Sequence, residues 1–134
     1  MDANEFFVRQ EVRKVESAVN SAMMRLRRAD TLREVVDLTQ VSLHPTIRFM
    51  RHQIHGLREL DRAAEKRAQE LVTAQLEQLK TLPLTERREK IGRLRTRDWA
   101  LLRGNFPKLV TLTEREIPKL LRDDRAEPKS PDGA

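Results

Sequence analysis

The chain lacks several things, and each absence removes a class of function. It contains no cysteine, which excludes disulfides, thiolate catalysis, Cys-ligated zinc and iron–sulfur clusters. That fits a reducing compartment, and a cytoplasmic protein is expected. Tyrosine is absent, tryptophan occurs once and aromatic residues make up 4%, so stacking of single-stranded bases is poorly supplied. No apolar run approaches the roughly 18 residues of a membrane span. The opening MDANEFF has neither a positive n-region nor an apolar h-region, so no secretory signal is expected. There is no Gly-rich phosphate loop and no G-x-S-x-G elbow. The acids are mostly scattered among arginines, which suits ion pairs better than proton transfer. A non-enzymatic protein without cofactor or metal is the expectation. Only four Gly and six Pro punctuate the sequence, no window alternates apolar and polar as a half-buried strand would, and no fixed-period repeat occurs. The chain therefore reads as all-α.

What is present is charge. Charged residues make up 36%, hydrophobic residues 38%, and mean hydropathy is −0.68. A helical chain this polar favours long amphipathic helices, or a core completed by a second copy. The net charge of +6 and pI near 10.3 point to an anionic partner: nucleic acid, an acidic protein or a charged membrane.

The spacing predicts about five helices, over 4–29, 31–40, 45–82, 85–103 and 106–121. They form one elongated helical bundle domain over 1–124, with a long central helix and a disordered polar tail at 125–134. In the first helix, Val8, Val12, Val15, Val19, Ala22, Leu26 and Ala29 alternate four- and three-residue steps. That is a three-heptad seam, either an intramolecular bundle face or the contact of a homodimeric coiled coil. Thr31 with Glu34 fits a capping box for the second helix. Pro45 opens the third, which runs to Leu82 with Gly56 marking a kink or close crossing. Its seam thins beyond Leu60 to Ala64, Ala68, Leu71 and Leu79. Thr85 caps the fourth helix and Gly104 ends it. Pro118 kinks or breaks the last.

Two basic surfaces follow. On one helix, Arg48, Arg51, His55, Arg58 and Arg62 fall within about 80° of one another, beside the apolar Ile47, Met50, Ile54 and Leu57. The fourth helix is the second. Between residues 85 and 108, eight cations stand against Glu86, Glu89 and Asp98. Among them, Lys90, Arg93 and Arg97 share one edge and Arg88 and Arg95 the other. Such side chains either snorkel around a core or contact phosphates. Asp98 points into the apolar sector and is expected to pair with an arginine of a neighbouring helix. Trp99 is either a core plug or an anchor in a partner interface. His52, His55 and Glu59 share a helix face, but their spacing is not the tight His-Glu-x-x-His type, and no metal is expected.

The segment LREVVDLTQVSLHPTIR (32–48) resembles the helix-turn-helix run of many bacterial DNA-binding domains. The resemblance implies a reading helix beginning near Pro45, with Arg48, Arg51 and His52 at base edges or phosphates. Gln40 stands where the pattern has glycine, and the turn is one residue longer. Equally, a short helix packing on a long one explains these residues. The expected function is association with duplex DNA, as a regulator or as an accessory factor of a replicating or mobile element. The alternative is a helical adaptor, chaperone or inhibitor for an acidic protein. A membrane-surface role fits less well, because the basic helices lack broad apolar aromatic faces.

Overall fold

The computed structural model describes residues 2–40 and 54–126, with side chains to Arg122. Every regular element among these residues is helical. Five helices of eight residues or more are present: α1 (Ala3–Leu26), α2 (Leu32–Thr39), α3 (Leu57–Leu79), α4 (Leu84–Thr96) and α6 (Pro107–Ala126). Between the last two lie a 3₁₀ turn, Trp99–Leu101, and the single-turn α5, Leu102–Asn105. Contacts group the chain into two compact units, Met1–Ala68 and Gln69–Ala134, within the span expected as one domain.

In the first unit, α1 starts where the Asp2 carboxylate accepts a hydrogen bond from the Glu5 N–H at 2.8 Å, satisfying one of the four orphan donors of the first turn. The expected seam is buried over Val15, Val19, Ala22, Leu26 and Ala29. The capping box at α2 is present. Thr31 Oγ1 accepts from the Glu34 N–H at 3.1 Å, and the Glu34 carboxylate reaches back to the Asp30 N–H at 3.3 Å. Leu32, Val35 and Val36 complete this side of the core.

The third helix differs from expectation. It starts at Leu57 rather than running unbroken from residue 45, because Gly56 adopts φ +88°, outside the right-handed helical region. The Gly56 carbonyl accepts from the Leu60 N–H at 2.8 Å, so the glycine opens the helix instead of bending it. A Cβ there would sit 3.3 Å from Val19 Cγ1, so the glycine also lets α1 approach closely. From Leu57 the buried positions are Leu57, Leu60, Ala64, Ala68, Val72, Leu76 and Leu79. Val72 and Leu76 thus carry the seam where Leu71 was expected. Residues 41–53, with the opening of the expected third helix, lie outside the described residues.

The second unit packs Ile91, Leu94, Trp99, Leu102, Phe106, Leu109, Ile117 and Leu120. Three expectations are corrected here. Thr85 does not cap α4: the helix begins at Leu84 after Pro83, with no side-chain cap bond. The fourth helix does not reach residue 103. Arg97 leaves helical geometry (φ −113°, ψ −85°), and Thr96 Oγ1 bonds back to the Gly92 and Arg93 carbonyls at 3.2 and 3.1 Å, giving the last turn a competing side-chain partner. Gly104 accordingly lies inside α5 and terminates nothing. Of the kink or break expected at Pro118, the break does not occur, because α6 continues to Ala126. Pro118 and Glu114, whose carbonyl loses its donor, are both exposed, so water can donate to that carbonyl in place of the missing N–H.

Candidate nucleic-acid interface

The positive side chains of the second unit sort by burial into two roles. Along α4 the inward positions are Arg87, Ile91 and Leu94, at i, i+4 and i+7. Arg87 is 3% exposed, and its guanidinium donates to three backbone carbonyls: Leu82 from Nε at 2.8 Å, Leu120 from Nη1 at 2.8 Å and Lys80 from Nη2 at 3.1 Å. A planar fork of fixed donors suits this, and it draws the turn after α3, the start of α4 and the end of α6 together. Arg87 belongs to the core. Counting charge along the sequence misassigned it to the basic surface, although its position between Ile91 and Leu94 on the helical wheel was the signal.

The outward residues are the others. Arg88, Lys90, Arg93, Arg95 and Arg97 are all exposed. Arg93 pairs with Glu89 at 3.1 Å and Arg95 with Glu114 at 3.0 Å. Among the described residues no carboxylate bridges Arg88, Lys90 or Arg97. Both observed pairs are at least half exposed, and such pairs contribute at most about 1 kcal/mol. Either arginine can therefore exchange its carboxylate for a phosphate at small cost. Arg103 on α5 and Lys108 on α6 are exposed as well.

Behind this surface the expected Asp98–arginine pair is replaced by a neutral partner. Trp99 is buried, and its indole N–H donates to Gln75 Oε1 at 2.8 Å. The same amide donates from Nε2 to Asp98 Oδ2 at 3.1 Å. One glutamine thus accepts from the indole and donates to the carboxylate, the arrangement its two ends allow. Trp99 is the core plug of the two readings, with its polar edge satisfied inside its own unit.

The first basic stripe is only partly described. Arg48, Arg51 and His52 lie outside the described residues, as does the expected reading helix. His55 occupies the turn before α3, and Arg58 and Arg62 lie on α3; all three are exposed. The Gly56 turn separates His55 from the helical pair. The His55 backbone N–H donates to Glu16 Oε2 at 3.0 Å, beside an open cleft lined by Val8, Arg9, Val12, Arg13, Glu16 and His55. On the expected dimer seam, Val15, Val19, Ala22 and Leu26 are buried within the chain itself. Val8 and Val12 are less covered.

No protein-family model matches the chain, and neither a curated protein nor a solved structure is significantly similar to it.

Proposed function

We propose that this chain is a non-enzymatic, cytoplasmic helical protein that associates with duplex nucleic acid, with the outward face of α4 as its contact surface. The observation that carries the reading is the division of labour on that helix. Its inward face is fixed by Arg87, Ile91 and Leu94. Its outward cations, Arg88, Lys90, Arg93 and Arg95, with Arg97 at its end, stand against Glu86 and Glu89 only. Cations on a packed helix hold a defined spacing, which a repeating phosphate backbone can use. Duplex is favoured over single strands because Trp99 is committed to the core and no aromatic residue lies on α4. Arg58 and Arg62, with Arg48, Arg51 and His52 of the helix-turn-helix-like segment, are a second set of candidate contacts. A regulator or an accessory factor of a replicating or mobile element suits such a protein.

An acidic protein is the competing partner, and the same titration separates the two. Fluorescence anisotropy with random-sequence duplex DNA is expected to show binding that weakens steeply with salt. The log–log slope should be roughly −3 to −4 if about four phosphates are engaged. Lys90→Glu with Arg93→Glu and Arg97→Glu should abolish binding while helicity by circular dichroism stays unchanged. No binding at low salt refutes the reading. Tighter binding to poly-glutamate than to DNA of equal charge moves the assignment to an acidic protein.

A further inference from the structure

Among the described residues, the start of α1 has no partner. Residues 2–10 are all exposed, and the first buried residue of the helix is Val15. Phe6 and Phe7 stand 57% and 63% exposed, an unusual placement for two adjacent phenylalanines in a chain with only four. Burying large aromatic rings is among the strongest drivers of association.

The charges around them have an order. Asp2 and Glu5 precede the rings, and Arg9 and Arg13 follow them. At 100° per residue these four fall within about 80° on one flank of the helix, next to Phe6. Acid, aromatic centre, base is a pattern that complements itself only when reversed. Two copies laid side by side in the same direction bring like charges together. Two copies related by a two-fold axis near Phe7 run antiparallel and present the same flank to each other. Glu5 then lies level with Arg9 of the second copy, and Asp2 level with Arg13, to within about one residue's rise of 1.5 Å. Opposed helix dipoles favour the same orientation.

We propose that residues 2–13 of α1 form an isologous, antiparallel self-association site, with Phe6 at its centre, Phe7 at one margin and the Asp2–Arg13 and Glu5–Arg9 pairs at the other. Its occupant is a second copy of this chain. It replaces the dimer expected along the whole Val8–Leu26 seam, four of whose residues are already buried within the chain. The cleft beside His55 borders this site, and Arg9 and Arg13 line it together with Val8 and Val12. The site holds roughly a dozen residues per copy, below the 20–30 of a standard interface, so association is weak and concentration-dependent. The inference is independent of nucleic-acid binding.

The charge order supplies the test. Sedimentation velocity over a concentration series is expected to show a monomer–dimer equilibrium for the full chain. Phe6→Ser with Phe7→Ser should weaken it at least about tenfold. Arg9→Glu with Arg13→Glu, and separately Asp2→Lys with Glu5→Lys, should each abolish self-association. An equimolar mixture of those two variants should restore a dimer. Because the chain has no cysteine, Phe6→Cys is expected to cross-link to itself on oxidation, and Met24→Cys, 70% exposed on the same helix, is not. All these positions are exposed, so unchanged helicity by circular dichroism is expected for every variant except Asp2→Lys with Glu5→Lys, which also removes the α1 cap and is judged by its mixture with Arg9→Glu and Arg13→Glu. A chain that stays monomeric at its solubility limit overturns the proposal. So does a dimer indifferent to the charge variants, a mixture that fails to associate, or Met24→Cys cross-linking as readily as Phe6→Cys. Recruitment of the monomer to anionic vesicles through Phe6 and Phe7 also overturns it, since the rings then serve a lipid surface.

Discussion

The two units each commit an arginine to holding backbone carbonyls, and they do so to different depths. In Met1–Ala68, Arg67 on α3 donates from Nε and Nη2 to one carbonyl, Ala29, at 2.9 and 2.7 Å. Ala29 lies just past the end of α1, where carbonyls lack helical donors. Arg67 is half-buried. In Gln69–Ala134, Arg87 is buried and takes three carbonyls from separate stretches of chain. The difference tracks the material each unit has to pack. The first unit is built largely from long helices with a continuous apolar seam, and one arginine clasps the α1–α2 corner. The second has a break at Arg97, a 3₁₀ turn and a one-turn helix, and its buried arginine ties the turn after α3, at Lys80 and Leu82, to Leu120 of α6. A basic chain can therefore spend its arginines in two ways, and +6 overstates the charge available to a partner.

The most severe test of this comparison is Arg87→Ala. Removing a buried fork that serves three carbonyls should destabilise the second unit by about 3 kcal/mol or more. The adjacent Arg88→Ala, at an exposed position, should stay within about 0.5 kcal/mol. Trp99, the only tryptophan, is buried in this unit, so urea unfolding followed by its fluorescence reads the effect. Equal losses for the two neighbours would mean that Arg87 does not tie these stretches together.

Arg67→Ala should be milder, about 1–2 kcal/mol, because its fork serves one backbone carbonyl where that of Arg87 serves three. This variant sharpens the comparison through its readout. If the units unfold separately, it moves the circular dichroism transition and leaves the Trp99 transition in place. If both transitions move together, the chain unfolds as one cooperative body. A loss larger than that of Arg87→Ala would reverse the ranking of the two arginines.

How much of this was legible in the sequence depended on whether the signal was local. The helical class, the Val15–Ala29 seam and the Thr31–Glu34 box are contained within single turns or single helices, and they appear as expected. The status of Gly56 was not so contained. A glycine inside a helical pattern means a kink, a close approach or a positive φ, and only the position of Val19 and the turn at His55 select among them. The break at Arg97 carries no proline or glycine, so nothing in the local sequence announces it. Arg87 showed its burial by lying between Ile91 and Leu94, but its acceptors come from residues 80, 82 and 120. Likewise, the pairing of Arg95 with Glu114, nineteen residues away, is a tertiary fact. The outward cations of α4 are exposed, as a helix with one apolar face leaves its other positions to solvent; whether they contact phosphates is not a local property of the sequence.

The smallest expected effect separates two threonines that the sequence presents as equivalent helix starts. Thr31 in the first unit accepts from the Glu34 N–H and belongs to a reciprocal box. Thr31→Ala should cost about 1 kcal/mol, the usual worth of a satisfied N-cap. Thr85 in the second unit lies one residue inside α4 and makes no cap bond. At an exposed interior position alanine is the better helix former, so Thr85→Ala should be neutral or stabilising by a few tenths of a kcal/mol. Urea midpoints for the two single variants decide the matter. A loss near 1 kcal/mol at Thr85 would mean that α4 begins at Glu86, two residues later than Leu84, with Thr85 capping it after all. The first unit would then no longer be the only one of the two to enter a helix through a side-chain cap, because the second would do so at α4 as well.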